Sequence, residues 1–479
     1  MTVRAPRRAV VAAMLAAAAS PLSAATFHIS PAGSDDAAGS AAAPWRSIQR
    51  GLAAAEPGDV VALAPGRYLQ DVRSVRAGNP GQPIVMRGPR EAVVSGAGAP
   101  RMVEINHGHI ELRGFTLDGH HAAEQRPDSY RDKLLYVIGT RPRDGVEGLK
   151  VIGMAFRNGG GECIRLRYFA QNNEIAHSTF EGCGVHDFQF RKSGKNGEAI
   201  YIGTAPEQLG DRGAPDASPD QSNGNWIHHN TFDTRGNECV DIKEASSKNV
   251  VEHNRCTGQL DKNSGGLGSR GSGNVFRYNL VYGNRGAGIR VGGDGERDGI
   301  DNDIYGNTFR DNAMGPIRAQ RGPQGKVCEN VAERNGEAPE SGRFTRELVP
   351  AIACSDPLAT PAGRRAKVEA AAEVAEKPKN AEPLRCAAAG LHCVVARFEG
   401  DERNRIKILD ASDPSLRGKH LIVQEASDQN ARPLDPKALA GKIARIEFQA
   451  LDKRVLQNAR VVRVLAEAAR SAPNSVLSP

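Results

Sequence analysis

The chain has 479 residues, of which 39% are hydrophobic and 25% are charged, and its formal net charge at pH 7 is +7. A charge this small for the length argues against nucleic acid as a partner, because nucleic-acid-binding surfaces are strongly and locally basic. No segment after the N-terminal apolar run approaches the ~20 consecutive apolar residues that a membrane span needs, so we expect no later integral membrane segment.

The N-terminus has the pattern of a secretory signal. Three arginines precede an apolar run from Ala9 to Ala18, and the small residues up to Ala24 suit signal peptidase. We predict that residues 1–24 are removed and that the mature protein is a secreted or periplasmic monomer without an integral membrane segment; an uncleaved N-terminal anchor is the alternative. Removing three arginines and no acid lowers the formal charge from +7 to +4, which is compatible with an acidic polymer as ligand.

The first residues after the signal predict a strand, a helix and a second strand. The strands are expected at Thr26–Ser30 and Asp59–Leu63, and an amphipathic helix is expected at Pro44–Ala55 with Trp45 and Leu52 on its apolar side. If repeats follow, this helix would cap their open end, where apolar side chains and strand edges are otherwise exposed.

One short pattern occurs three times in the middle of the chain, in Gly161–Leu166, Gly197–Ile202 and Asn237–Ile242. Short segments with apolar residues at period two, interrupted by Gly and Asn, favour strands over helices. Their recurrence predicts a solenoid, in which the stacking of neighbours supplies the core. A β-propeller would need longer repeats of about four strands each, so a parallel β-helix with coils from about Ile84 to Asn330 fits best.

A second periodic pattern consists of asparagines that each follow an apolar residue three places earlier. Asn230, Asn254, Asn279 and Asn307 lie at intervals of 24, 25 and 28 residues. Equivalent positions of a solenoid stack in rows, so these side chains are interpreted as an internal amide ladder that satisfies backbone groups at the turns. Extra sequence precedes Asn230, and whether Phe188–Phe190 forms its own rung is left open.

The composition changes after Ser355. Residues 356–385 are rich in Ala, Pro, Glu and Lys and predict a linker, partly helical around Lys367–Ala375. The β-helix domain then spans residues 25–355. Alternating segments in residues 386–479 predict a small β-rich module, for which an OB-like barrel is one possibility.

Eight cysteines in an exported chain permit disulfides. Two pairs are close enough in sequence to close short loops: Cys386 with Cys393, and Cys328 with Cys354. Cys163 and Cys239 occupy equivalent positions about two strand spacings apart, beyond the reach of about 7 Å between Cα atoms, and the remaining connectivity is open. The chain has no Cys-x-x-Cys pair, which argues against a cysteine zinc site.

Four segments near the N-terminus resemble the first coil of pectate lyase-like right-handed parallel β-helix proteins: Ile29–Asp35, Ala43–Gln49, Pro57–Val61 and Pro65–Tyr68. The resemblance covers roughly Thr26 to Asn330 and implies an all-β, right-handed parallel β-helix with an N-terminal cap helix. That superfamily contains polysaccharide lyases, uronate epimerases, glycoside hydrolases and noncatalytic adhesins, so the fold alone leaves the reaction open.

Alignment of the repeats places outward-facing side chains in two rows along one strand of each coil. The first row contains Arg165, Tyr201, Asp241, Gly268, Arg290 and Arg318, and the second contains Arg167, Gly203, Lys243, Arg270, Gly292 and Gln320. The excess of basic residues predicts a cationic groove for an acidic polysaccharide, although mixed charges on a solvent face are also ordinary. The predicted substrate-binding residues are Arg165, Arg167, Tyr201, Arg290 and Arg318.

The resemblance implies β-elimination, in which the substrate carboxylate is neutralised and a base removes the proton at C5. We predict Lys243 and Arg270 as catalytic residues, with Lys243 as the base, because stacked cations about 5 Å apart repel and lower the pKa of the lysine. Arg270 or Arg290 would bind the substrate carboxylate. The structural alternative is a surface salt bridge of Lys243 with Asp241 or Glu244, worth under about 1 kcal/mol.

Acidic residues close to Lys243 predict a Ca²⁺ site. Glu198, Glu238 and Asp241 are the predicted ligands, with Glu162 at the equivalent position of an earlier repeat, because Ca²⁺ prefers six to eight oxygens. Their alternative role is to accept backbone N–H bonds or to pair with arginine. The segment Gly293–Asp303 is a second Ca²⁺ candidate or simply a turn.

Adjacent histidines occur at His120–His121 and at His228–His229. Neighbouring residues of a strand face opposite ways, so we expect no histidine metal site.

These features together predict an exported, Ca²⁺-assisted polysaccharide lyase acting on a uronate polymer. A glycoside hydrolase on the same scaffold is an alternative, with Glu238 and Asp241 as its carboxylate pair. A uronate epimerase and a noncatalytic glycan-binding envelope protein are further alternatives.

Overall fold

The computed structural model describes residues 24–191, 196–211, 213–367, 386, 391–400, 403–416, 418–423, 425–428, 432–448, 458–459 and 462–467. The chain divides into two compact units between Arg364 and Arg365. Residues 1–23 of the predicted signal and 368–385 of the predicted linker lie outside the described ranges.

The first unit is a right-handed parallel β-helix whose coils each contribute strands, in order, to sheets A, B and C. Sheet A contains eleven strands: Thr26–Ile29, Val60–Leu63, Ile84–Arg87, Ile110–Arg113, Lys150–Ile152, Glu174–Ala176, Trp226–His228, Val250–Glu252, Val275–Arg277, Asp303–Tyr305 and Val327–Cys328. Sheet B contains ten: Gly66–Tyr68, Ala92–Val94, Thr116–Asp118, Ala155–Gly159, Thr179–Cys183, Thr231–Asp233, Arg255–Thr257, Leu280–Tyr282, Thr308–Arg310 and Val331–Glu333. Sheet C contains nine: Val72–Arg73, Arg101–Ile105, Lys133–Ile138, Ile164–Arg167, Ile200–Ile202, Val240–Ile242, Gly265–Ser269, Ala287–Val291 and Ile317–Ala319.

A short α-helix, Ile48–Ala54, packs against the first strands of sheet A. It begins later than predicted because the Ser47 side chain accepts a hydrogen bond from the backbone N–H of Arg50 and caps the helix there. Gly51 permits the close approach, since a Cβ at this position would lie 2.9 Å from side-chain atoms of Ile29 and Val61.

The other helical segments are short. The 3₁₀ segments of the β-helix unit are Pro127–Ser129, Pro206–Gln208, Glu340–Glu347 and Pro357–Ala359, and residues 361–367 form a helical turn that crosses the division between the units. His186–Arg191 forms a π-helical turn, so Phe188–Phe190 belongs to a turn and is not a rung. None of the helices in the described ranges has the length and apolar composition needed to cross a bilayer.

Inward side chains of the three sheets form one continuous core. On sheet B, Phe156, Phe180 and Phe232 stack with ring centroids 4.7 and 4.6 Å apart. Offset stacking of this kind contributes about 0.5–1.5 kcal/mol per pair beyond the burial of apolar area. The strand alternation read from the repeats therefore produces the core that the solenoid needs.

The predicted asparagine ladder is confirmed. Each amide nitrogen donates to the amide oxygen of the next coil, at 3.1 Å from Asn230 to Asn254, 3.1 Å from Asn254 to Asn279, and 3.0 Å from Asn279 to Asn307. Two further ladders, which we did not predict, run parallel to it. One contains Asn173, Asn225, Asn249, Asn274 and Asn302, and the other contains Gln259, Asn284, Asn312 and Asn335.

Four disulfides are present. The predicted pairs Cys328–Cys354 and Cys386–Cys393 are confirmed. The other bonds, Cys163–Cys183 and Cys239–Cys256, join a residue just before a sheet C strand to a sheet B residue of the following coil. Cys163 and Cys239 are not bonded to each other, as expected from their spacing.

The second unit contains one mainly antiparallel, eight-stranded sheet. Its strands, in spatial order, are Pro433–Leu434, Ala426–Asp428, Val462–Glu467, Ile443–Phe448, His392–Phe398, Arg405–Ala411, His420–Val423 and Asn458–Ala459. Two 3₁₀ segments, Pro414–Leu416 and Pro436–Leu439, lie in this unit, which has its own apolar core.

Candidate active site

The first outward row predicted from the repeats lies on sheet C in the expected register. Its members pair in the order Arg165, Tyr201, Asp241, Gly268, Arg290 and Arg318. The row continues toward the N-terminus through Tyr136 and Glu104. Equivalent residues of successive coils are therefore direct neighbours across sheet C.

The expectation that this face is an open cationic groove is wrong at its N-terminal end. Arg165 and Arg167 are buried, because residues near Gln208 cover them. The Arg167 guanidinium donates to Thr204 Oγ1 at 3.1 Å and to Tyr168 Oη at 3.0 Å. These guanidinium groups hold the covering segment in place and are already hydrogen-bonded within the protein.

The arginines at the other end of the row are also buried. Arg290 Nε donates to Gln320 Oε1 at 2.8 Å, and Arg318 Nη1 donates to the Asn263 carbonyl at 2.7 Å. Burial, together with the neighbouring charge of Arg290, lowers the pKa of Arg318. A substrate would have to displace internal partners in order to pair with these residues.

Lys243 directly follows the sheet C strand Val240–Ile242 and forms an ion pair with Asp241 of that strand. Its Nζ atom lies 2.5 Å from Asp241 Oδ2. Lys243 Nζ also lies 4.4 Å from the centre of the Tyr201 ring. Burial has the largest effect on the pKa of Lys243 and acts to lower it, but Asp241, Tyr201 and Glu198 together outweigh burial and raise this pKa. Arg270 does act to lower it, but the net shift is upward, so our prediction of a depressed lysine pKa is wrong.

Arg270 follows Lys243 in the second outward row but has different partners. Its Nη1 atom lies 3.3 Å from Asp294 Oδ1 and 3.7 Å from Glu244 Oε1. The Arg270 side chain is 26% exposed, whereas that of Lys243 is 8% exposed. Arg270 is thus more accessible to a polymer lying on sheet C.

The three predicted metal ligands, Glu198, Glu238 and Asp241, are brought together by the structure. One carboxylate oxygen from each lies within 4.8 Å of the others, and all three residues are buried. Burial and the charges of Asp241 and Glu198 raise the pKa of Glu238 to about 8. Burial also raises the pKa of Glu198. Asp241 behaves differently, because Lys243, Arg270 and Arg290 together overcome the effect of burial and lower the Asp241 pKa.

Gly268 adjoins this cluster. A Cβ on Gly268 would lie 2.7 Å from Asp241 Oδ1 and 3.4 Å from Glu238 Cγ. Asp241 Oδ1 and Glu238 Oε2 are buried and accept no hydrogen bond from any described residue. Unsatisfied, mutually repelling carboxylate oxygens beside a position without a side chain fit a hard divalent cation.

Glu162, which precedes Glu198 in the same row, has partners of a different kind. Its carboxylate pairs with Lys133 and with Arg165 Nη1, the latter at 3.2 Å. Burial opposes ionisation, but these two cations lower the pKa of Glu162 to about 2. Glu162 is therefore a salt-bridged residue, in agreement with the alternative role considered for this row.

A polar cleft of about 220 Å³ opens beside Glu162. Its lining includes Asp132, Lys133, His186 and Arg191. Sequence reasoning missed this feature, because Lys133 lies outside the aligned repeats and the π-helical turn at His186–Arg191 has no periodic pattern. π-Helical turns are frequent at functional sites.

The acidic segment Gly293–Asp303 is built as a turn. Asp298 Oδ2 accepts the backbone N–H of Gly295 at 2.8 Å, and Asp303 Oδ1 accepts the backbone N–H of Lys326 at 2.7 Å. These contacts agree with the turn alternative.

The expectation that His228 and His229 point apart is wrong. His229 has a φ of 54°, so it lies at a left-handed turn and not in an extended strand. The Nδ1 atoms of the two residues are 2.9 Å apart. His177 of the preceding coil completes a group of three histidines at the corner between sheets A and B.

Sequence comparison gives a match to one short segment. Residues 31–75 match a family described as a protein of unknown function (DUF1565). No curated protein matches the sequence.

The chain is similar to several solved structures. They include an alginate lyase from Paenibacillus sp. str. FPU-7, with 17% identity, a TM-score of 0.49 and coverage of 66% of this chain and 97% of that chain. Pectate lyase Pel9A has 14% identity, a TM-score of 0.46 and coverage of 70% and 80%. The GH136 lacto-N-biosidase from Eubacterium ramulus has 14% identity, a TM-score of 0.43 and coverage of 66% of each chain.

Three parallel sheets of eleven, ten and nine strands, to which successive coils contribute in turn, decide the architecture. The fold is a right-handed parallel β-helix. At the identities and TM-scores given above, the likenesses say nothing about the activity of this chain, and the assignment of the fold rests on its own sheets. The chemistry of its site has to be argued from its own residues.

Proposed function

We propose that this protein is an exported polysaccharide lyase that cleaves a uronate-containing polysaccharide by β-elimination on sheet C. The observation that carries the proposal is the placement of Lys243 and Arg270 beside three buried carboxylates, next to Gly268, which has no side chain. Such an elimination needs a proton acceptor and positive charge at the substrate carboxylate, and this region can supply both.

Glu198, Glu238 and Asp241 would hold Ca²⁺, because these buried carboxylates repel one another and Ca²⁺ prefers oxygen ligands. Two of their oxygens, Glu238 Oε2 and Asp241 Oδ1, accept no hydrogen bond from a described residue. Bound there, Ca²⁺ would neutralise the substrate carboxylate and so make the proton at C5 more acidic. The raised pKa of Glu238 means that cation binding has to compete with a proton on this residue.

Lys243 is the proposed base. It can accept a proton only as a neutral amine, and its ion pair with Asp241 favours the charged form. If Asp241 pairs with another group instead of Lys243, burial and the nearby Arg270 guanidinium both act to lower the pKa of Lys243. Arg270, the more exposed cation, would orient the substrate carboxylate.

Export is supported by the four disulfides of the folded chain, because such bonds persist in oxidising compartments. The predicted signal sequence agrees with this compartment. The proposed partner is an acidic polysaccharide, and the proposed working form is a monomer.

The test is a panel of pectate, alginate and glycosaminoglycans, incubated with and without a chelator and followed by the ultraviolet absorbance of unsaturated uronate. Lys243→Ala and Lys243→Arg should each lower the rate by about 10²–10⁴-fold, the usual contribution of a positioned acid or base. Lys243→Arg keeps a positive charge beside Asp241, so it separates loss of the base from loss of the ion pair. Lys150→Ala, on an exposed position of sheet A, is the matched control and should retain full activity. Native rates in both Lys243 variants would refute the assignment of the base.

Glycoside hydrolysis is a second candidate, favoured by one observation. Glu238 and Asp241 have carboxylate oxygens within 4.8 Å, and their pKa values are shifted in opposite directions. A proton donor close to an ionised partner resembles the arrangement of retaining glycosidases, whose two carboxyl groups lie about 5–5.5 Å apart. New reducing ends without a double bond would identify hydrolysis, whereas exchange of the C5 proton with solvent without cleavage would identify an epimerase.

A further inference from the structure

We propose that His177, His228 and His229 form a binding site for a divalent transition-metal ion of the Zn²⁺ or Ni²⁺ type. The site lies at the corner between sheets A and B, in two consecutive coils of the β-helix. It is built from different residues than the carboxylate cluster on sheet C and does not depend on the proposed lyase activity.

The backbone places two of these histidines directly above one another. His177 and His229 follow paired strands of sheet A and have φ values of 53° and 54°. Their rings are stacked with centroids 5.0 Å apart and an interplanar angle of 27°. His228 belongs to the same coil as His229, and its ring is nearly perpendicular to both, at 84° to His177 and 88° to His229.

This arrangement directs three nitrogen atoms toward one region. One ring nitrogen from each histidine lies within 4.8 Å of the other two. The Nδ1 atoms of His228 and His229 are 2.9 Å apart, so the pair must share either a proton or a cation. A metal ion between the rings would satisfy both lone pairs at once.

The surroundings of His228 resemble the support that metal-binding histidines receive. Its Nε2 atom lies 3.3 Å from Glu174 Oε1, which leaves Nδ1 for a ligand. The Trp226 ring stacks against the buried His228 ring with centroids 3.7 Å apart. A carboxylate on the distal nitrogen fixes the tautomer and orientation of a metal-binding imidazole, and loss of such a partner typically costs 10–100-fold in affinity.

The chemistry of three imidazoles selects the class of metal. Imidazole nitrogen suits Zn²⁺, Ni²⁺ and Cu²⁺, whereas Ca²⁺ and Mg²⁺ prefer oxygen ligands. Three protein ligands leave a further position for water. Because His177 belongs to one coil and the other two histidines to the next, the ion would also clamp these coils together.

A stacked aromatic ladder accounts for part of the arrangement but not for all of it. His253 stacks on His229 at 5.0 Å, and Tyr278 stacks on His253 at 5.2 Å. Stacking alone explains the alignment of His177 with His229. It does not require His228 to turn Nδ1 toward them, nor Glu174 to hold the opposite nitrogen. His253, which shares the ladder and has a φ of 53° but lies outside the cluster of three, is therefore the matched control.

The experiment uses the full chain without a polyhistidine tag, freed of metal by a chelator and titrated calorimetrically with Zn²⁺ and Ni²⁺. One ion should bind per chain, and His177→Asn and His229→Asn should each weaken binding at least about tenfold. Asparagine is chosen because it tolerates a positive φ, so the turns keep their backbone. Glu174→Gln should weaken binding by about 10–100-fold, while His253→Asn should leave the affinity unchanged.

Three results would overturn the site: no binding, binding that is unaffected by His177→Asn and His229→Asn, or an equal loss in His253→Asn. Circular dichroism of each variant checks the fold, and Zn²⁺ should raise the melting temperature of the unmodified chain, of His253→Asn and of Glu238→Gln more than that of His177→Asn or His229→Asn. Glu238→Gln, in the sheet C cluster, should not change Zn²⁺ affinity, which keeps this test separate from that of the proposed lyase.

Discussion

Asn254 lies in the middle of the asparagine ladder, and its replacement by alanine tests how much that ladder stabilises the β-helix. The Asn254 Oδ1 atom accepts from the backbone N–H of Asn230 at 2.9 Å and from Asn230 Nδ2 at 3.1 Å. Its Nδ2 atom donates to the Ile227 carbonyl at 2.9 Å and to Asn279 Oδ1 at 3.1 Å. All four hydrogen bonds are buried, so water cannot replace them without rearrangement.

Asn254→Ala removes the acceptor of two buried donors on Asn230. A buried polar group left without a partner costs about 1–3 kcal/mol, so the two donors together predict a loss of about 2–6 kcal/mol in the free energy of unfolding. Asn279 Oδ1 still accepts the backbone N–H of residue 254, at 3.0 Å, and adds little to this loss.

The assay is guanidinium unfolding followed by far-ultraviolet circular dichroism, with the midpoint and the slope compared between variants. Glu296→Ala, on an exposed loop, is the control and should stay within about 0.5 kcal/mol of the unmodified chain. If Asn254→Ala also stays within about 0.5 kcal/mol at an unchanged slope, the ladder does not contribute to stability as reasoned here.

Three other predictions concern the site and the disulfides. Gly268→Ala should weaken Ca²⁺ binding at least about tenfold by calorimetry, because its Cβ would lie 2.7 Å from Asp241 Oδ1; unchanged affinity would place the ion elsewhere. The folded-state pKa of Glu238, about 8, exceeds the value of about 4.3 expected in the unfolded chain. In chelator-treated protein, the contribution of Glu238 to the free energy of unfolding is therefore fully present below about pH 4 and is lost as the pH rises through about 8. Glu238→Gln should remove that part of the pH dependence in denaturation curves, and curves of the same shape would contradict the raised pKa. Replacing Cys239 and Cys256 by serine should lower the free energy of unfolding by about 3 kcal/mol, given a sequence separation of 17 residues, and a loss below about 1 kcal/mol would contradict this estimate.

The coil architecture was predictable because its determinants are local and periodic. Recurrence of the pattern around Ile164, Ile200 and Val240 places these residues in adjacent strands, and the structure pairs them in that register. The same arithmetic could have found the missed ladder, since Asn225, Asn249 and Asn274 follow at 24 and 25 residues.

Features that depend on segments outside the repeats were not predictable from the repeat period. The segment around Gln208 has no repeat pattern, yet it buries Arg165 and Arg167. A disulfide between two sheets, such as Cys163–Cys183, depends on the distance between strands of different sheets. Aligning the repeats of one sheet gives no information about that distance. The orientation of the His229 side chain was not predicted, because its left-handed turn interrupts the alternation of side chains along a strand.

The sequence by itself determined which residues are neighbours along the β-helix, because a solenoid converts a constant period into stacked rows. It thereby placed Glu198, Glu238, Asp241 and Lys243 in one region. Only the tertiary structure decided the directions of their pKa shifts, because the pKa of a buried group depends on its burial and on the distances to neighbouring charges. Together with Tyr201 and Glu198, Asp241 at 2.5 Å raises the pKa of Lys243 against the effect of burial, while burial and two neighbouring carboxylates raise the pKa of Glu238 to about 8.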